Sequence, residues 1–162
     1  MTPFEKIKAL LQSDDIMNVN MGLELLDTLA TEPEELSQAL GIDANISSVD
    51  DLKAALKGFE HQGTILVWVL GKWAELGVQW VLEIEELDLS ETGMTELHPN
   101  IGLMTNLTTL ELSADPELDF EQTFETLAQL PNLTSLNLSE NQLTDLPDQI
   151  QHLTKLTTLN LS

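Results

Sequence analysis

Three histidines, no cysteine and a surplus of carboxylates bound the chemistry open to this chain. His61, His98 and His152 are far apart and show no ligand spacing, so they read as surface histidines. Without cysteine there is no thiol nucleophile. The serine-hydrolase elbow, the zinc-protease helix motif and the phosphate-binding loop are all missing. Gly71-Lys72 resembles the end of such a loop, yet lacks the upstream glycine and the following hydroxyl residue. Glu85, Glu86, Asp88 and Glu91 could gather a hard cation such as calcium, but their spacing fits no calcium loop. A solvated acidic patch is the simpler reading. The expectation is a protein that is not an enzyme, with no cofactor and no metal.

What positions those carboxylates is a repeat. The stretch Leu133-Thr-Ser-Leu136-Asn-Leu138-Ser-Glu-Asn141-Gln-Leu143 fits L-x-x-L-x-L-x-x-N-x-L at every fixed position. The same frame fits from Ile84, Leu107 and Leu156, so successive starts are 23, 26 and 23 residues apart. A fixed period in this range marks a solenoid, in which each unit buries its apolar side by stacking on the next. Residues one, four and six of each unit point inward, and alternation sends their neighbours outward.

The outward residues form one surface on a parallel ladder, and it is the candidate binding face. Unit one contributes Glu85, Glu86, Asp88 and Glu91; unit two Thr109, Glu111 and Ser113; unit three Ser135, Asn137 and Ser139; unit four Thr158 and Asn160. The face is acidic at its start and becomes a carpet of threonine, serine and asparagine. Four strands of ~5 residues project only about 300 Å². A standard interface buries about 800 Å² per partner, so flanking loops, further repeats or a second copy must contribute. The return side also repeats: Leu97, Ile101 and Met104 align with Leu146, Ile150 and Leu153. Unit two is longer and carries Phe120 and Phe124, which predicts a helical turn there.

Residues 1–80 read as a helical cap of about five helices. Thr2-Pro-Phe-Glu5 has capping-box spacing with proline at the first helical position. Gly22, Leu25, Leu26 and Leu29 mark a second helix, with Val19, Leu23 and Ala30 widening its stripe. Thr31 begins a third that Gly41 closes, and Ser48 begins a fourth with Leu52, Ala55, Leu56 and Phe59 on one face. The fifth, from Gly63-Thr64 to about Leu76, is apolar on nearly every side and must be covered on nearly every side. It lies directly before the first repeat, whose open end needs a plug; Trp68, Trp73 and Trp80 are the candidates.

The unit Leu133 through Leu153, including Asn141, Leu146-Pro147 and Ile150, resembles the leucine-rich repeats of the roughly 23-residue cytosolic and bacterial kind. The resemblance covers about residues 82–162. It implies an α/β fold: a right-handed solenoid with a short parallel β ladder, used for protein–protein recognition and with no common chemistry. It also implies that Asn141 bonds neighbouring backbone inside its turn, a place that Thr92 and Asp115 fill less well. Two domains follow, a cap over 1–80 and about three and a half repeats over 81–162.

Charge then narrows the partner. Twenty-eight acidic residues face six basic ones, for a net charge of −22, and every basic residue is lysine. Such a surface repels nucleic acid and anionic membrane, and attracts basic proteins or peptides at short range. No signal segment opens the chain and no apolar run could span a bilayer. With the lack of cysteine, this favours a cytoplasmic location. The expected function is an interaction module for a protein or peptide, basic in character. Alternatives are an immunity-type or mimic protein neutralising a basic toxin or nuclease, and a fragment whose missing part carries activity. The last unit stops just after its strand, so residues 156–162 also offer an edge for self-association.

Overall fold

The computed structural model describes residues 1–162. Helices come first: α1 (Pro3–Leu11), α2 (Ile16–Leu29), α3 (Pro33–Leu40), α4 (Val49–Ala55), α5 (Gln62–Glu75) and the single turn α6 (Gln79–Leu82). Four strands follow, β1 (Glu86–Asp88), β2 (Thr109–Glu111), β3 (Ser135–Asn137) and β4 (Thr158–Asn160). They form one parallel sheet in the order β1-β2-β3-β4. The returns are a 3-10 helix at Pro99–Leu103, the helix α7 (Phe120–Leu127), and a 3-10 helix at Asp148–His152. No helix is long and apolar enough to cross a membrane.

Four of the helices start where short polar side chains satisfy free amides. Thr2 Oγ1 accepts from the Glu5 amide at 3.2 Å, and Glu5 takes the Thr2 amide in return. Asp15, Ser48 and Asp119 cap α2, α4 and α7. Glu32, not Thr31, caps α3, and the Glu35 carboxylate takes the amides of both. Gly41 ends that helix in the left-handed region, φ 68°.

Six helices replace the expected five, because Val78 restarts a turn after Gly77. The stripe of α2 also needs correction. Val19, Gly22, Leu23 and Leu26 are buried, but Leu25 and Leu29 are exposed. Both the expected and the buried stripes have helical spacing, and they share Gly22 and Leu26. The neighbour decides between them: the side chain of Leu11 in α1 lies against Gly22 and draws the buried arc to that side. In α4, Leu52 and Leu56 are buried while Ala55 is exposed.

The inward reading holds for the fourth and sixth positions of the first three units and fails at Leu161 of the fourth, which is exposed. Leu87, Leu89, Leu107, Leu110, Leu112, Leu133, Leu136 and Leu138 are all buried. Leu87, Leu110, Leu136 and Leu159 occupy one rung of the register. Each strand is three residues long, shorter than the five used to size the face. The longer middle return forms α7, with Phe124 fully buried and Phe120 half-buried. A single cluster of 37 buried residues runs from Ile7 to Leu153, so helices and repeats share one core.

The join between them is α5. It packs against the 3-10 helix of the first return. Two glycines, separated by about two turns and a further ~80° of rotation, allow that approach. A Cβ on Gly63 would meet the carbonyl of Thr92, and one on Gly71 would meet the ring of His98.

Candidate functional site

Register assembles the outward face from the sheet upward. Glu86, Thr109, Ser135 and Thr158 form one row; Asp88, Glu111, Asn137 and Asn160 form the next. Glu85, Glu86, Asp88 and Glu91 are exposed, as are Thr158 and Asn160. Thr109, Glu111, Ser113, Ser135 and Asn137 are half-buried, and Ser139 is buried. The acidic start and the neutral remainder therefore lie side by side on one sheet.

Several of these polar groups already have partners. Asp88 Oδ1 accepts from the Ser90 amide at 2.9 Å and from its hydroxyl. Asn137 Oδ1 accepts from the Ser139 amide at 3.0 Å, and Asn160 Oδ1 from the Ser162 amide at 3.2 Å. Asparagine and aspartate at this row thus fold each strand into its turn. Glu111 is one methylene longer and instead accepts from Asn137 Nδ2 at 2.6 Å. Burial pushes the Asp88 carboxyl up, but the Ser90 hydroxyl and amide, with the Lys53 charge, outweigh it and hold the group below the usual carboxylate range.

Lysines border the acidic end on one side. Lys53 Nζ donates to the Asp88 carbonyl at 2.6 Å. Lys53 and Lys57 line a cavity of about 200 Å³ with Ser90, Glu91 and Thr92. On the other side Lys53 faces Asp50, Glu83, Glu85, Glu86 and Asp88 across a cleft of about 440 Å³, with Trp80 in its wall. None of those five carboxylates is in a salt bridge; both salt bridges of the molecule belong to Lys72.

Sequence reading missed a hydroxyl ladder beneath the face. The Glu85 carbonyl accepts from the amides of Thr108 and Thr109, and also from Thr108 Oγ1 at 3.1 Å. Thr134 Oγ1 repeats this on the Thr108 carbonyl at 3.2 Å, and Thr157 Oγ1 on the Thr134 carbonyl at 3.1 Å. A second ladder runs one position before each unit. Asn106 Nδ2 donates to the Leu82 carbonyl, Asn132 Nδ2 to the Thr105 carbonyl, and Lys155 Nζ to Asn132 Oδ1. Threonine and asparagine recurring at fixed offsets were the available signal.

The turn asparagine behaves as expected. Asn141 Nδ2 donates to the carbonyls of Leu112 and Leu138, and Oδ1 accepts the Asp115 amide at 2.7 Å. Asp115 reaches back in turn to the Gly93 amide at 2.6 Å. Its other oxygen is buried without a partner. Burial lifts this carboxyl above its usual range, and the amides of Gly93, Thr92 and Met94 do not cancel that lift. The turns share another trait: Glu91, Ala114 and Glu140, at one position of three units, all have φ between 55° and 59°.

Histidines need correction. Only His152 is fully exposed. His61 lies with Nε2 2.8 Å from the Asp14 carbonyl. His98 is half-buried, its ring edge-on to Trp68 at 6.4 Å, and Nδ1 accepts the Asn100 amide. Burial lowers its pKa, opposed by Asp27 and Glu75. Lys72, once a phosphate-loop candidate, is 7% exposed. It bridges Asp27 and Glu75 at 2.9 Å each. Burial would lower its pKa, yet the two carboxylates raise it overall. No group of three or more histidines and carboxylates is placed to hold a metal.

The strands carry a parallel ladder of leucines, closed by a turn asparagine on its neighbour's backbone, and the family model described as leucine rich repeat matches residues 123–162. The chain carries leucine-rich repeats. No curated protein and no solved structure matches it. Leucine-rich-repeat domains are generally protein-interaction modules, and the family is typically non-enzymatic.

Proposed function

We propose that the repeats over 81–162 form a short right-handed solenoid, capped by the helices of 1–80, and that its concave face binds a basic protein or peptide. Glu85, Glu86, Asp88 and Glu91 take the partner's cations, and Glu111 extends them into unit two. Thr109, Ser113, Ser135, Asn137, Ser139, Thr158 and Asn160 supply the polar remainder of the surface. The single observation that carries this reading is the exposed, unbridged state of Glu85, Glu86 and Asp88 at the first rung of the sheet. Unpaired carboxylates on a sheet edge carry little cost in water and gain when a cation docks. A net charge of −22 adds long-range steering of the same sign.

The test is capture of a partner at low salt, repeated at about 0.5 M, where screening shortens charge interactions to a few ångströms. Release at high salt, and loss of capture by the Glu86→Lys/Asp88→Lys double variant, are the expected results. A partner held equally at both salts and by both proteins contradicts the electrostatic part.

A further inference from the structure

The outward face alone is small, since its strands are only three residues long. A flanking feature beside the acidic end supplies what is missing. Between α3, the loop after it, and the α5–α6 junction lies a cavity of about 210 Å³. Its walls combine Pro33, Ala44, Ile46, Val78, Trp73 and Trp80 with the polar Glu34 and Ser37. An apolar cavity of ~150 Å³ is enough to hold benzene, so this one has room for a leucine side chain or an aromatic ring.

Trp73 forms the buried wall of the cavity, with its side chain 3% exposed. Trp80 ties the cavity to the acidic end. It stands edge-on to Trp73 at 5.8 Å, and it also forms the wall of the cleft that holds Asp50, Glu83, Glu85, Glu86 and Asp88. One tryptophan thus separates this cavity from five carboxylates opposed by Lys53 alone.

We propose that this cavity is an anchor site for one large apolar side chain of a basic partner segment, with the adjoining lysine or arginine of that segment seated in the carboxylate cleft on the other side of Trp80. The inference rests on the basic-partner reading above and adds its specificity. Charge complementarity selects the segment; the cavity selects an apolar residue within it.

Two probes separate the two readings: an acetylated, amidated lysine–leucine–lysine–lysine peptide, and the same peptide with serine for leucine. Binding to the full chain is followed by NMR, through the Trp73 indole N–H and the backbone amides of Glu85 to Asp88. Both peptides shift the amides of Glu85 to Asp88, and only the leucine peptide shifts the Trp73 indole N–H and binds at least fivefold more tightly. Ala44→Phe, which fills the cavity, abolishes that fivefold difference. Equal affinities, or a Trp73 signal indifferent to leucine, overturn the anchor while leaving the charged face intact. Movement at Trp73 with none at Glu85 to Asp88 upholds the anchor and contradicts the basic-partner reading instead.

Discussion

Asn141 Oδ1 accepts the amide of Asp115 at 2.7 Å, while the Asp115 carboxylate, in the equivalent place one coil earlier, accepts the amide of Gly93 at 2.6 Å. The two residues play one role with unequal equipment. Asn141 also has two N–H groups, and both find carbonyls. Asp115 has a second oxygen that is buried and finds nothing.

Asp115→Asn therefore stabilises the fold at pH 7, by about 1 kcal/mol, the size of one net hydrogen bond. The pH dependence has a definite sign. The folded-state pKa of Asp115 is raised, so its ionisation opposes folding above that pKa, and the wild-type chain recovers this loss as pH falls through it. The advantage of the asparagine variant shrinks over the same window. Urea denaturation of both proteins at pH 7 and near pH 4, close to the ordinary carboxylate value, measures the difference. A variant less stable at pH 7 would contradict the assignment.

Leu136 and Asn137 are chain neighbours that point to opposite sides of β3. Leu136→Ala costs about 2–5 kcal/mol as a buried truncation. Asn137→Ala costs under ~1 kcal/mol, because its bonds to Glu111 and Ser139 lie at the half-exposed face. Chemical denaturation resolves the two; equal losses would invert the inside and outside of the sheet.

The approach of α5 to the first coil depends on two missing side chains. Gly63→Ala and Gly71→Ala each destabilise by about 1–3 kcal/mol through overpacking. Gly63→Ala is the worse, since it meets the Thr92 carbonyl and not a side chain that can turn. Gly58, which faces open space, serves as the control, and Gly58→Ala stays within ~0.5 kcal/mol. Thermal melts of the three variants give the order.

The threonine ladder separates structural hydroxyls from exposed ones. Thr134→Val loses the bond to the Thr108 carbonyl and costs about 1 kcal/mol. Thr158→Val, on the exposed row next to it, changes stability by less than ~0.5 kcal/mol. If the two variants denature at the same urea concentration, the hydroxyl ladder contributes nothing to stability.

Periodicity was enough to place Leu110, Leu136 and Asn141, because a repeat forces each residue to meet its own counterpart in the next coil, and that relation is written into the spacing. The longer middle return was legible for the same reason: extra residues with Phe120 and Phe124 leave room for a helix turn, and α7 is there. Tertiary packing alone decided the contacts between segments that share no period. Which arc of α2 is buried depends on Leu11 of α1, and Leu25 and Leu29 carry no mark of it. Gly71 carried no sign that His98 would lie over it, nor Lys72 that Asp27 would meet it from another helix. Local spacing fixes which side of an element is apolar; the partner on that side, and the cavity between Trp73 and Trp80, exist only once the elements are assembled.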